Sequence, residues 1–108
     1  MKKNLKITPE GTKDFLFAEC SAMDYICTSI EKVFVKGGFK RVITPALEFY
    51  DVFSIPSSGI SQESMFKTTD NKGRILVARP DSTLPIARMV STRLKNNTLP
   101  VRLYYKQA

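Results

Sequence analysis

Apolar and polar positions change period several times along this chain of 108 residues. Over residues 18–36, Met23, Ile26, Ile30, Val33 and Phe34 recur at spacings of three and four, which predicts an amphipathic helix. Gly37-Gly38 supplies a glycine stop at its C-terminal end. The apolar stripe of this helix reads as core or as a dimer seam. Residues 1–17 show no period and read as extended or looped. Thr8-Pro9-Glu10-Gly11-Thr12 holds turn formers, and Phe15, Leu16 and Phe17 are expected to anchor the segment on the core.

Beyond the glycines the pattern shortens. Phe39 to Thr44 reads as a strand with Val42-Ile43 at its centre, stopped by Pro45, which cannot donate to a sheet ladder. Leu47-Glu48-Phe49-Tyr50 and Val52-Phe53 form an apolar stretch whose type the pattern leaves open. Residues 54–64 are small and polar and read as a mobile surface loop. Met65 to Thr69 and Arg74 to Ala78 flank Asp70-Asn71-Lys72-Gly73, a hairpin signal. A helix is expected from about Ser82 to Leu94, and a strand over Val101-Arg102-Leu103-Tyr104-Tyr105. Tyr104 and Tyr105 must point to opposite faces of that strand. Because hairpins pair antiparallel, the order of elements favours an α+β fold over a doubly wound parallel one. The final strand lacks a closing turn before Lys106-Gln107-Ala108, so the chain reads as part of a larger domain with an exposed sheet edge.

Composition narrows the classes. Hydrophobic residues make up 43% and charged residues 25% of the chain, ordinary for a folded protein. The net charge of +7 permits contact with RNA or phosphorylated metabolites. The basic residues are dispersed, however, with Lys2-Lys3 and Lys40-Arg41 the adjacent pairs, so a solvated surface is expected and nucleic acid is not expected as a partner. Cys20 and Cys27 fall in one helix about 10 Å apart, too far for a disulfide. With two cysteines and no histidine, no metal site is expected, and reduced thiols point to the cytoplasm. The lack of histidine also removes the commonest general base. The N-terminus has no signal-peptide core, and no apolar run approaches membrane-spanning length.

The candidate chemistry lies in Arg79-Pro80-Asp81-Ser82-Thr83, where a strand passes into a helix. An acid and a hydroxyl two residues apart at a helix start can hold the ammonium group of a small substrate. Asp, Ser and Thr are equally the ordinary N-cap residues, and one residue can serve both ends. Arg79 can neutralise a carboxylate or phosphate, or make a structural ion pair. Arg88 reads as structural or surface, and Glu48 as a surface acid.

Four segments, in order, resemble the start of a class II aminoacyl-tRNA synthetase core of the histidyl type. They are Thr8-Pro9-Glu10-Gly11-Thr12-Lys13-Asp14; the helix with Gly38 through Glu48, similar to class II motif 1; Met65-Phe66-Lys67 through Arg74 with Arg79 to Thr83, similar to the hairpin and substrate loop; and Arg102-Leu103-Tyr104-Tyr105, similar to the strand opening motif 2. The resemblance implies a partial class II synthetase-like antiparallel sheet flanked by helices, with residues 1–108 as the N-terminal portion of the core. It places Pro45, with Val42 and Ile43, at a dimer interface, and Asp81, Thr83 and Arg79 at the amino-group site of a histidine-like ligand.

Synthetases of this group carry Arg-Pro-Glu-Gly-Thr in the substrate loop, whereas this chain has Asp81 and Ser82 where Glu and Gly stand. Asp81, Pro85-Ile86-Ala87-Arg88 and the opening Thr-Pro-Glu-Gly-Thr look more like the second branch, the synthetase-like regulatory subunits of ATP phosphoribosyltransferase. Asp is one methylene shorter than Glu, a retreat of ~1.5 Å. Misplacement by 1 Å can cost catalysis on the order of a hundredfold; ligand sensing tolerates more. The resemblance implies a non-catalytic regulatory subunit that joins a short-form ATP phosphoribosyltransferase catalytic subunit, activates it and confers feedback by histidine, as a homodimer or larger hetero-oligomer, with no cofactor and no membrane. The motif 2 arginine is expected beyond Ala108, and motif 3 is lacking, so this polypeptide alone is not expected to be an enzyme. The alternative is the N-terminal part of a true histidyl-tRNA synthetase.

Overall fold

The computed structural model describes residues 5–55 and 59–108. Two compact units divide it, Met1–Gly38 and Phe39–Ala108. The predicted loop at 54–64 lies partly outside the described residues, at positions 56–58.

In the first unit, helix α1 runs Ala18–Lys36. Gly37 caps it, its N–H meeting the carbonyls of Val33 and Phe34 at 3.1 and 3.0 Å, and Gly38 follows with φ +82°, a conformation that favours glycine. Upstream, the Thr12 N–H closes a turn onto the Pro9 carbonyl at 3.0 Å. The sequence expected Phe15, Leu16 and Phe17 to be anchored, but they remain exposed, Phe17 at 86%. No residue of α1 is buried either. Its stripe therefore has the predicted periodicity but does not form a core within this unit, whose described residues offer one helix and no second layer to cover it.

The second unit holds the remaining elements: β1 (Lys40–Val42), β2 (Leu47–Phe49), α2 (Tyr50–Phe53), a single 3-10 turn (Gln62–Ser64), β3 (Phe66–Thr69), β4 (Ile75–Ala78), α3 (Thr83–Arg93) and β5 (Leu103–Tyr105). The stretch of open type is thus a strand running directly into a helical turn. The 54–64 segment includes the 3-10 turn, whose Ser64 N–H meets the Ser61 carbonyl at 3.2 Å. Strands β2, β4 and β3 form an antiparallel sheet in that order. A second pair, β1 with β5, is parallel, with Lys40 opposite Leu103 and Val42 opposite Tyr105. Parallel pairing needs a crossover, and here everything between the two strands supplies it.

The β3–β4 turn follows from four residues. The Gly73 N–H bonds the Asp70 carbonyl at 3.1 Å, the Asp70 N–H bonds the Arg74 carbonyl at 3.0 Å, and Gly73 takes φ +77°. This is a three-residue loop whose last member needs the left-handed region. The Asp70 side chain locks it: Oδ1 accepts the N–H groups of Lys72 and Arg74 at 2.9 Å each, and Oδ2 accepts Arg74 Nε at 2.7 Å. The Arg74 main-chain N–H, aided by the Arg74 side chain and the Lys72 N–H, holds the Asp70 carboxyl below its ordinary value of 3.8. The Arg74 guanidinium in turn lies 4.7 Å from the centre of the Phe49 ring.

The core of the unit is small. Val77 and Phe53 are essentially fully buried and Met65 nearly so, with Tyr50, Val52, Ile60 and Leu84 packed against them. Val77 is the inward residue of β4, and α2 brings Phe53 beneath the sheet. As strand alternation requires, Tyr104 is buried and Tyr105 half exposed.

Candidate functional site

The site is built where β4 leaves the sheet and α3 begins. The antiparallel ladder between β2 and β4 extends one step past Ala78, with the Arg79 N–H bonding the Ala46 carbonyl at 3.0 Å. Pro80 follows, and α3 starts at Thr83 with Ser82 at the N-cap position. Pro85 fits the first helical turn, where its missing N–H removes no helical bond.

Capping falls to Asp81, one residue earlier than the usual position. Ser82 makes no capping bond with its side chain. Instead Asp81 Oδ1 accepts the Thr83 N–H at 2.9 Å, a local turn that satisfies one orphan donor of the helix. Asp81 and Thr83 are both exposed. Asp81 Oδ2 and the Thr83 hydroxyl make no hydrogen bond among the described residues. The structure thus brings together the acid and hydroxyl singled out in the sequence. The cap engages one carboxylate oxygen of Asp81, its Oδ1.

Arg79 is half-buried and, among the described residues, pairs with no Asp or Glu side chain. Its side chain donates to main-chain oxygens instead, Nη1 to Thr44 at 3.4 Å and Nη2 to Ala108. It therefore ties β4 to the segments after β1 and β5. The expected interface residues behave differently from one another: Ile43 is 69% exposed, Pro45 is exposed, and Val42 is half-buried in the β1–β5 pair.

Two buried arrangements escaped the sequence. Glu48, expected at the surface, is buried at 7% exposure and accepts Arg88 Nε and Nη2, each at 2.9 Å. Strand alternation turns it inward beside Val77's register position, and α3 supplies the counter-charge, with Arg88 in the structural role foreseen for it. The second is a polar knot below Asp81. Gln107 Nε2 donates to Ser82 Oγ and to Thr44 Oγ1, both at 2.8 Å, while its Oε1 accepts the Thr44 N–H at 3.1 Å. Thr44 and Ser82 are 5% and 4% exposed. No local signal marks Gln107, since its partners lie 63 and 25 positions away.

Among the described residues no cluster of three His, Cys, Asp or Glu is gathered to hold a metal, and no helix is long and apolar enough to cross a membrane. Cys20 and Cys27 are free thiols.

Comparison with known proteins places this geometry. The family model for histidyl-tRNA synthetase matches residues 11–108. A protein of Clostridium acetobutylicum named ATP phosphoribosyltransferase regulatory subunit is 47% identical over 100 residues, covering 93% of this chain and 25% of its own. One of the same name from Acetivibrio thermocellus is 50% identical over 98 residues, covering 91% of this chain and 23% of its own. The chain thus spans about a quarter of the length of the curated relatives it matches. Among solved structures, an ATP phosphoribosyltransferase regulatory subunit/histidyl-tRNA synthetase from Bacillus halodurans C superposes with a TM-score of 0.83 at 34% identity, covering 95% of this chain and 27% of that one. The mixed helix-and-sheet architecture is accordingly the class II synthetase-like fold. The chain belongs to the histidyl-tRNA synthetase family, in which its curated relatives are ATP phosphoribosyltransferase regulatory subunits.

Proposed function

We propose that this chain is the N-terminal part of the core of a non-catalytic regulatory subunit that works with an ATP phosphoribosyltransferase catalytic subunit in the first step of histidine biosynthesis, in the cytoplasm. It activates that partner, and histidine reverses the activation. The observation that carries the reading is sequence identity of 42–50% to regulatory subunits over nearly the whole chain. The α3 N-terminus supports it in chemical terms. Asp81 Oδ2 and the Thr83 hydroxyl offer two acceptors to an amino acid's ammonium, and Arg79 lies close in sequence. A carboxylate partly committed to the helix cap suits reversible ligand contact better than catalytic positioning, where geometry dominates the rate. Pro45 and Ile43, exposed beside the β1–β5 pair, supply part of a dimer interface, with Val42 behind them.

Allosteric control requires histidine to bind the active and inhibited assemblies with different affinity. The test is the activity of a short-form catalytic subunit, with and without this protein carried to its relatives' length, across a histidine titration. Activation that histidine reverses is the expected result. No activation, together with histidine charging onto tRNA, would overturn it in favour of a synthetase.

A further inference from the structure

We propose that Gln107 is the positioning residue of the Asp81–Thr83 loop; this rests on the reading of that loop as an amino-group site. The orientation of the Gln107 amide is fixed by its partners. The Thr44 main-chain N–H can only donate, so the Gln107 atom facing it at 3.1 Å must be the carbonyl oxygen. Nε2 then has both of its hydrogens directed at hydroxyl oxygens, Thr44 Oγ1 and Ser82 Oγ, each at 2.8 Å. One side chain thereby satisfies three groups, and both residues it holds are nearly excluded from water.

Ser82 is the consequential partner. It occupies the N-cap position of α3 yet makes no capping bond. Its hydroxyl serves Gln107 instead, and the cap passes to Asp81. The polar atoms offered to a ligand, Asp81 Oδ2 and Thr83 Oγ1, thus flank a residue tied to the ends of β1 and β5. Without that tie, Ser82 is free to rotate inward and cap α3 itself, as serine ordinarily does. Asp81 would then lose its fixed rotamer. A ligand held by two short side chains is sensitive to such a change, since its contacts depend on placement as much as on charge.

The experiment measures histidine affinity by calorimetry, and melting temperature, in the protein carried to its relatives' length. Asp81→Asn tests the underlying reading: it should weaken histidine binding by about tenfold or more, the scale of a lost charge-assisted hydrogen bond. Gln107→Met should weaken binding by about five- to tenfold without touching the ligand, whereas Ser82→Ala, which cannot take over the cap, should bind within about twofold of the native protein. Gln107→Glu should restore affinity to within about twofold, because both hydroxyls can rotate to donate to its carboxylate. Native affinity in Asp81→Asn would remove the site and the inference with it. Weakened binding in Asp81→Asn but native affinity in Gln107→Met would overturn the positioning role alone, whatever the melting temperatures, as would a loss in Ser82→Ala equal to that in Gln107→Met. Equal loss in Gln107→Glu and Gln107→Met would overturn it too. If Gln107→Met does not fold, Thr44→Val, which removes the other hydroxyl that fixes the amide, decides by the same criterion: weakened binding supports the role and native affinity overturns it.

Discussion

Two polar hubs hold the second unit, and they are built on opposite principles. At the β3–β4 turn, Asp70 gathers partners no more than four positions away, in an exposed loop. Below the α3 N-terminus, Gln107 gathers partners 63 and 25 positions away, and these are buried. The local hub shapes a turn that the chain would make in any case. The distant hub joins the ends of β1 and β5 to the start of α3 through a single side chain. Exposed ion pairs contribute little, because water competes for both partners, whereas buried polar groups are costly once a partner is lost.

That contrast can be broken or sharpened by substitution, read by urea denaturation. The largest effect is expected at Arg88→Met, which leaves Glu48, its side chain 8% exposed, as an unpaired buried acid. A loss of about 3 kcal/mol is expected, the low end for a broken buried pair because water reaches Arg88. Thr44→Val keeps the shape but removes an acceptor from the Gln107 amide, and should cost about 1–2 kcal/mol. Gly73→Ala forces alanine into the left-handed region and should cost about 1 kcal/mol, acting on the turn alone. The smallest loss is expected for Asp70→Asn, and pH identifies it. Asp70 has its carboxyl lowered below 3.8 on folding, so its contribution is present above that value and lost as pH falls through the folded one. The gap between native protein and Asp70→Asn should therefore hold at neutral pH and close in acid. Should Asp70→Asn prove more damaging than Thr44→Val, the ranking of local and distant hubs is inverted.

The same division governs what the sequence disclosed. The β3–β4 hairpin was legible because Asp70, Gly73 and the flanking apolar residues specify it within a dozen positions. Helix α3 was legible within a residue at each end, as its apolar period and its Ser82 start are local signals. The pairing of Asp81 with Thr83 was visible, but not that Asp81 would displace Ser82 as the cap, since that exchange depends on Gln107. Glu48 was misplaced at the surface. The strand pattern turned it inward, and Arg88, 40 positions on, made its burial tolerable. The run from Leu47 to Phe53 resisted assignment because Phe49 is extended while Tyr50 is already helical, leaving no room for either period to declare itself.

The parallel pairing of β1 with β5 has a consequence for how the chain is made. Lys40 must wait for Leu103, 63 positions later, before its partner strand exists. At ribosomal rates of about 5–20 residues per second, that delay is about 3–13 s. The β2–β4–β3 sheet, contained within Leu47–Ala78, can close during the interval. For those seconds β1 is a nascent strand with its hydrogen-bonding edge vacant, open to chaperones and to strands of neighbouring chains. Gln107 emerges two residues behind β5 and fastens Thr44 beside β1, so the stretch that supplies the partner strand also secures the segment that follows β1.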